Sequence, residues 1–408
     1  MRFRGWLRMR PWTLLVLANI GFTFIASQTH AQSPFCRNTG SFNAWLDAFK
    51  TEALAAGISQ RTINAAAPYL TFDQGIINRD RGQRVFGQDF LQFSDRMAAA
   101  YRMQQGQKML KTHAAVFARA EQKYGVPGAV IASFWALESD FGANMGNLST
   151  LRSLASLAYD CRRSQMFREE LMAGLKVIER GDLTPAEMIG SWAGELGQTQ
   201  FLPVLYVKYA VDDDGDGRRD LLKSPADVIA STANYLADIG WKRGQPWMQE
   251  VRVPAQLPWD QASLDIQHPR SQWAQWGVTL ANGAALPRDD ARASLLLPMG
   301  RMGPTFLVFD NFKTYTIWNN SLTYATTAAY LATRIAGAPP LQRGQKQIPT
   351  LTFAQTRELQ QKLVRRGYDV GKVDGILGAK SRDAVRDAQK KLGLPADSWP
   401  TPELLARL

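Results

Sequence analysis

"WALESDFGANMGN", residues 135–147, sets one glutamate among aromatic and aliphatic neighbours, with no obvious basic partner close by in the chain. The preceding "YGVPGAVIASF" extends the apolar pattern, and together they read as a helix over 127–140. Ile131, Phe134, Glu138 and Phe141 recur at steps of three and four, which places them on one inward stripe with Trp135 beside it. Burial there disfavours a carboxylate, and the negative end of the helix dipole adds to the effect, so both raise the pKa of Glu138. Two readings compete. A neutral glutamic acid in an aromatic site can protonate a glycosidic oxygen. Alternatively Glu138 is half of a buried ion pair, with Arg152, Arg162 and Arg163 as candidate partners. The stripe alone favours the ion pair.

A second segment shifts the balance. "GSWAGELGQTQFLP" (190–203) combines Gly190, Gly194 and Gly197, which allow close backbone approach, with the hydrogen-bonding groups of Ser191, Gln198 and Gln200. Trp192 and Phe201 add flat apolar faces. Small residues, amides and aromatics together suit a sugar-binding wall better than a packing turn.

The rest of the chain bounds the chemistry. With 408 residues and 45% hydrophobic content, it can fold as more than one domain. Arg2, Arg4, Arg8 and Arg10 precede the apolar run "WTLLVLANIGFTFIA", and Thr29 and Ala31 suit cleavage after Ala31. The run is shorter than the roughly 20 residues of a spanning helix, so residues 1–31 read as a cleaved signal peptide for export to the periplasm, with no stable membrane span afterwards. The formal charge of +12 falls to about +8 without the leader's arginines. A basic exported protein suits an anionic polymer such as cell wall, or an anionic membrane face, and export argues against nucleic acid. Cys36 and Cys161 would meet in an oxidising compartment, where a disulfide between them is the natural reading. His113 and His268 are the only histidines after the leader, which argues against a zinc site or a Ser-His-Asp triad. Catalysis must then lean on carboxylates.

Apolar periodicity predicts a mainly α (α+β) fold. Two short helices fall within 41–70, and others over 107–124, 127–140, 165–180, 185–190, 203–210, 225–239 and 321–336. Pro127, Pro185 and Pro225 sit where first-turn prolines belong, with Thr184 and Ser224 as caps. Between 250 and 315 the pattern loosens into strand-like runs such as "ASLLLP" and "TFLVFD". "GAPPLQRGQKQIPT" (337–350) has linker composition, and helices over 353–366 and 379–391 follow.

Four segments in this order, "YGVPGAVIASFWALESDFG", "GSWAGELGQTQFLP", "YAVDDDGDGRRDLL" and "NFKTYTIWNNSLTYA", resemble the B-type lytic murein transglycosylases. The resemblance covers roughly 41–336 and implies a lysozyme-like catalytic domain over 32–336. By this resemblance Glu138 is the catalytic acid, Ser191 and Gln200 line the substrate groove with Gln198 beside them, and Tyr235 matches the tyrosine of "ANYL". Trp318, Asn319 and Tyr324 match the late aromatic-Asn element, with tryptophan standing where a tyrosine is expected. The implied reaction cleaves the β-1,4 bond between N-acetylmuramic acid and N-acetylglucosamine without water, leaving 1,6-anhydromuramic acid. One carboxyl acts as acid and then base, so Glu195 is read as groove edge or surface. A hydrolytic muramidase and an inactive wall-binding scaffold are the alternatives.

"DDDGDGRRD" (212–220) puts Asp212, Asp214 and Asp216 at positions 1, 3 and 5 of a calcium-type loop with Gly217 at 6. Lys223 at position 12 cannot ligate, and the resemblance implies Asp227 as the last acid. An Asp/Gly turn capping the next helix is the alternative, and a structural calcium would stiffen the loop while the chemistry needs no cofactor. Residues 351–408, with "LQQKL", "GY", "DGILGAKS" and "QKKLGL", resemble a three-helix peptidoglycan-binding domain. Leu359, Leu363, Val385 and Leu394 are its core positions, and the domain is expected to tether the enzyme to wall through the linker. The implied partner is the peptidoglycan glycan strand, with other cell-wall enzymes unspecified.

Overall fold

The computed structural model describes residues 40–82, 88–345 and 347–408. The leader and Cys36 lie outside them. Cys161 is not a free thiol. Among the described residues no helix is long and apolar enough to cross a membrane.

The organising element is the helix Gly128–Ser139, whose twelve residues are all buried. It is not amphipathic as the stripe suggested, because protein covers every face. The helices Leu322–Ile335, Ala100–Thr112 and Pro225–Asp238 pack around it. Alanines on both sides, including Ala132, Ala136, Ala328 and Ala329, let the neighbouring helices approach closely. The helix ends at Asp140, which adopts a left-handed conformation at φ 55°. There the buried guanidinium of Arg102 pairs with Asp140 at 3.1 Å and also donates to the Met97 carbonyl.

Most predicted helices form, with instructive exceptions. Helix 107–124 is broken at His113 into Ala100–Thr112 and Ala114–Tyr124. Residues 185–190 form a turn and not a helix. Thr184 and Glu187 cap each other as predicted, but Ile189–Gly190 (β2) pairs antiparallel with Leu148–Ser149 (β1), and this ends the turn. Ser224 does cap Pro225–Asp238, with Pro225 at the first position. The helix Thr150–Tyr159 was not anticipated.

Residues 248–308 form a five-stranded antiparallel sheet from Met248–Arg252 (β3), His268–Pro269 (β4), Thr279–Leu280 (β5), Arg292–Leu296 (β6) and Phe306–Val308 (β7), in the order β4-β6-β7-β3-β5. Leu295 pairs with Leu307, and Leu296 with Phe306. Alternate side chains serve two cores: Met248, Leu296, Phe306 and Val308 join the helical core, while Val251, Leu295 and Leu307 pack with Trp273 in a second one. A sheet buried on both faces explains why "SLLLP" and "FLVF" read as unbroken apolar runs.

The C-terminal helices Phe353–Arg365, Ala379–Lys391 and Pro402–Arg407 enclose a separate small core. Leu359, Leu363 and Val385 are buried in it, and Leu394 packs at its edge. Its connection differs from the expected flexible tether. Arg343 makes two bonds to Asp95 at 2.7 and 2.9 Å, Gln342 bonds Glu250 and Ala281, and Gln345 bonds the Met302 carbonyl at 2.8 Å. Gly344 sits so close that a Cβ would meet the Met302 carbonyl oxygen at 2.1 Å. Linker composition set the backbone free to follow the surface, and the polar side chains then pinned it there.

The small domain is also docked directly. Arg382 donates to the carbonyls of Leu297 and Pro298 at 3.1 and 2.6 Å while its guanidinium lies over Trp399, and burial pushes its pKa down to about 10. Asp397 accepts from the Arg301 backbone at 3.0 Å. Replacing Arg382 by alanine strands two carbonyls and is expected to cost about 1–3 kcal/mol. Limited proteolysis between residues 337 and 350 should become faster in that variant, and unchanged cleavage would mean that this clamp does not hold the domain.

Candidate active site

Glu138 lies in the last turn of its helix, 7% exposed, on a cleft of about 1900 Å³. Its Oε1 accepts hydrogen bonds from Trp318 Nε1 at 2.7 Å and from the Tyr324 hydroxyl. Its Oε2 makes no hydrogen bond within the described residues and is not sealed from the cleft. Oε1 already accepts two donors, so a proton on the carboxyl belongs on Oε2, the oxygen a substrate can reach. Burial lifts the pKa of Glu138 to about 7, against the pull of the bonds from Tyr324 and Trp318.

The ion-pair reading fails. Among the described residues no cation pairs with Glu138. Arg162 and Arg163 both bind Asp80, and Arg152 donates to Thr71 at 3.1 Å. A carboxyl buried without a cation is held neutral by desolvation, which suits a general acid working near neutral pH.

The Gly-rich segment is brought to Glu138 by the β1–β2 pair and by the helix end. Ser139 donates to the Gln198 carbonyl at 2.7 Å and accepts from the Gly142 amide, so the residue after the glutamate ties the helix to the groove wall. Gly190 is needed for this fit, since a Cβ there would meet the Glu195 carbonyl oxygen at 1.9 Å.

The predicted groove residues divide. Gln200 and Tyr235 line the cleft with Trp318, Asn319 and Tyr324. Gln200 holds a left-handed φ of 51° and donates to the Gly197 carbonyl at 2.8 Å, so its side chain is fixed by its own turn. Tyr235 stands 5.2 Å from Trp318 between ring centroids, and burial raises its pKa to about 12. Gln198 is not on the cleft. It accepts from Trp135 Nε1 and donates to the Leu222 carbonyl, both at 2.8 Å, which makes it an internal brace. Ser191 is also set behind the lining, where its hydroxyl donates to Glu195 at 2.8 Å.

Trp318 stacks on Phe134, with centroids 4.2 Å apart, and its indole N–H also donates to Glu138. Tyr324, read as substrate-binding, likewise touches Glu138 directly, and burial followed by the charge of Glu138 raises its own pKa.

Sequence reasoning left Glu195 at the groove edge or surface and missed Glu170. Glu195 is not at the surface: it is 6% exposed and lines the cleft, and burial raises its pKa to about 8. Glu170, also 7% exposed on the cleft, accepts from the Val204 amide at 2.9 Å and is raised by burial to about 7. Glu195 carried a signal in its apolar neighbours Ala193 and Leu196, whereas "REEL" gave Glu170 none.

The acidic loop forms in part. Carboxylate oxygens of Asp212, Asp214 and Asp227 lie within 4.8 Å of one another. Asp216 is outside the group and caps its own turn by accepting from the Arg218 amide at 2.8 Å. Lys223 turns away to Glu187, as its chemistry requires. Three converging carboxylates fit a hard cation, and Asp227 is oriented by amides from Asp213 and Asp220 at 2.8 and 2.7 Å.

Comparison with known proteins agrees with this architecture. The family described as "Transglycosylase SLT domain" matches residues 41–333, and "Putative peptidoglycan binding domain" matches 354–408. The chain therefore belongs to the SLT-domain transglycosylase family and carries a domain of the peptidoglycan-binding type. It is 34% identical over 220 residues to the membrane-bound lytic murein transglycosylase B of Escherichia coli (strain K12), a match spanning 53% of this chain and 59% of that protein. SltB3 from Pseudomonas aeruginosa, solved in complex with NAG-anhNAM-pentapeptide, shares 42% identity over 90% of this chain and 99% of its own, with a TM-score of 0.83. Escherichia coli Slt35 in complex with calcium is 27% identical over 71% of this chain and 92% of its own, with a TM-score of 0.60.

The hydrogen bonds to Glu138 lower its pKa, so removing one should raise it. Trp318→Phe keeps the ring packing and deletes the donor. The Glu138 carboxyl should then titrate above about 7, readable from its carbonyl stretch by infrared difference spectroscopy, and a downward shift would contradict the assigned geometry.

Proposed function

We propose that this protein is an exported lytic transglycosylase that cleaves peptidoglycan glycan strands non-hydrolytically, with Glu138 as its acid and then its base. The observation that carries the reading is the asymmetry of Glu138: Oε1 is locked by Trp318 and Tyr324, and Oε2 is open to the cleft. Oε2 gives its proton to the oxygen of the muramyl–glucosaminyl bond, which breaks with the leaving sugar taking the electron pair. Positive charge at the muramyl anomeric carbon is relieved by the substrate's own N-acetyl group. Glu138 is now a carboxylate, and the Trp318 N–H and Tyr324 O–H stabilise it without surrendering a proton. It then takes the proton of the muramyl 6-hydroxyl, whose oxygen closes on the anomeric carbon. No water is consumed, and Glu138 returns to its starting state.

SltB3 complexes with NAG-NAM-pentapeptide and NAG-anhNAM-pentapeptide support this substrate class. Residues 32–336 form the catalytic part in this reading and 351–408 the wall-binding part, pinned by 337–350 so that both face one cleft. Gln200, Tyr235 and Asn319 contact the glycan, while Ser191 and Gln198 shape the wall. Export through the 1–31 leader places the enzyme in the periplasm, with Cys36 bridged to Cys161.

Two experiments test the proposal. Glu138→Gln should lower lysis of purified sacculi by about 10²–10⁴-fold, and mass spectrometry of wild-type products should show muramic ends lighter by one water. Reducing-end muramic acid would instead identify a hydrolase, and undiminished lysis by Glu138→Gln would identify another acid.

For the loop we propose a structural calcium held by Asp212, Asp214 and Asp227, a role supported by the calcium complex of Slt35. Calcium at 100 times its Kd should stabilise the fold by about 2.7 kcal/mol. The rise in Tm should vanish in Asp212→Asn and persist in Asp216→Asn, and equal loss in both would put Asp216 back among the ligands.

A further inference from the structure

The cleft holds a second carboxyl that the proposed chemistry does not use. Glu195 lines it with Glu138, and both side chains are more than nine-tenths buried. The Ser191 hydroxyl accepts from the amides of Ala193 and Glu195, at 3.2 and 3.3 Å, which commits its single proton to Glu195 Oε2 at 2.8 Å. Glu195 Oε1 makes no hydrogen bond within the described residues and is not sealed from the cleft. The backbone under it is fixed, since Ser191 N donates to the Glu195 carbonyl at 3.0 Å and Leu196 bridges to Gly190 and Phe201. This is the arrangement of Glu138 repeated: one oxygen held as an acceptor, the other presented to the substrate.

The charged groups around Glu195 are Glu138, Glu170 and Arg163. Arg163 is committed to Asp80, so two like acids and burial dominate. A carboxyl so placed stays neutral at pH 7 and offers an O–H, much as a buried carboxylic acid elsewhere can serve as a hydrogen-bond donor.

We propose that Glu195 is a glycan-binding residue whose Oε1 hydroxyl donates a hydrogen bond to an acceptor oxygen of the bound sugar, the carbonyl of an N-acetyl group, with Ser191 fixing its orientation. The acetamido carbonyl is the strongest neutral acceptor on an N-acetylated sugar, and an ionised Glu195 could not donate to it. The inference rests on the glycan substrate proposed above but not on Glu138 as the acid.

Binding should be measured in a Glu138→Gln background, where Glu138 does not titrate. The probe is an uncross-linked glycan of alternating N-acetylglucosamine and N-acetylmuramic acid, followed by calorimetry. Affinity should weaken about tenfold between pH 6 and pH 9 as Glu195 ionises, the worth of one hydrogen bond. Adding Glu195→Gln should abolish that dependence and hold the pH 6 affinity to within about threefold, because the amide reproduces both the donor and the acceptor for Ser191. Adding Glu195→Ala should weaken binding about tenfold at pH 6. A pH-independent affinity in the Glu138→Gln background would overturn the proposal, as would a Glu195→Gln kcat reduced a hundredfold, which would make Glu195 a proton carrier. If Glu138 is not the acid, Glu138→Gln still turns over glycan, and the effect of Glu195 on affinity is read at early times independently of that failure.

Discussion

A carboxyl group buried with no cation paired to it among the described residues is the constraint around which this molecule is arranged. Desolvating an ionised glutamate is expensive, and protein usually meets the cost with an arginine or avoids it altogether. Here the helix Gly128–Ser139 carries Glu138 into the interior, where burial lifts its pKa to about 7. Among the described residues no cation pairs with it: Arg162 and Arg163 are engaged with Asp80, and Arg102 with Asp140. The remaining contacts, Trp318 and Tyr324, donate hydrogen bonds to Oε1 and moderate the rise of its pKa without supplying a cation.

That arrangement needs two distant segments to meet at one helix end. Ser139 and Gln198 supply the join on one side, and Leu322–Ile335 supplies it on the other. The same logic extends to the C-terminal domain. Its docking through Arg382 and the strap through Arg343 replace a distribution of distances with a fixed one, so that Thr350, Phe353 and Lys372 help to line the cleft.

Much of this was legible in the sequence. The Gly-rich wall announced itself by residue type, whereas the role of Glu138, the late aromatic element and the three-helix end came from the family resemblance, since the stripe around Glu138 alone favoured an ion pair. What periodicity could not show was partnership. Gln198 has the chemistry of a sugar ligand, but Trp135 occupies its carbonyl and Leu222 its amide. Glu195 reads as groove edge or surface until the β1–β2 pair and the Gly190 contact fold it inward. The 337–350 segment has the composition of a free linker because its bonds are made by side chains to remote surfaces, which local pattern does not encode. Helix 185–190 failed for a related reason: a sound cap was overruled by strand pairing with residues forty positions away.

Three acids raised by burial, Glu138, Glu170 and Glu195, also tie the stability of the fold to acidity. Each binds a proton more tightly folded than unfolded, so each contributes fully below pH of about 4.5 and loses its contribution as pH climbs through about 7 to 8. Alkalinity therefore both ionises the proposed acid and loosens the walls that hold it. A wall-cutting enzyme of this build is disarmed and unsettled by the same protons leaving, which makes the local pH of its compartment a restraint on how much wall it can cut.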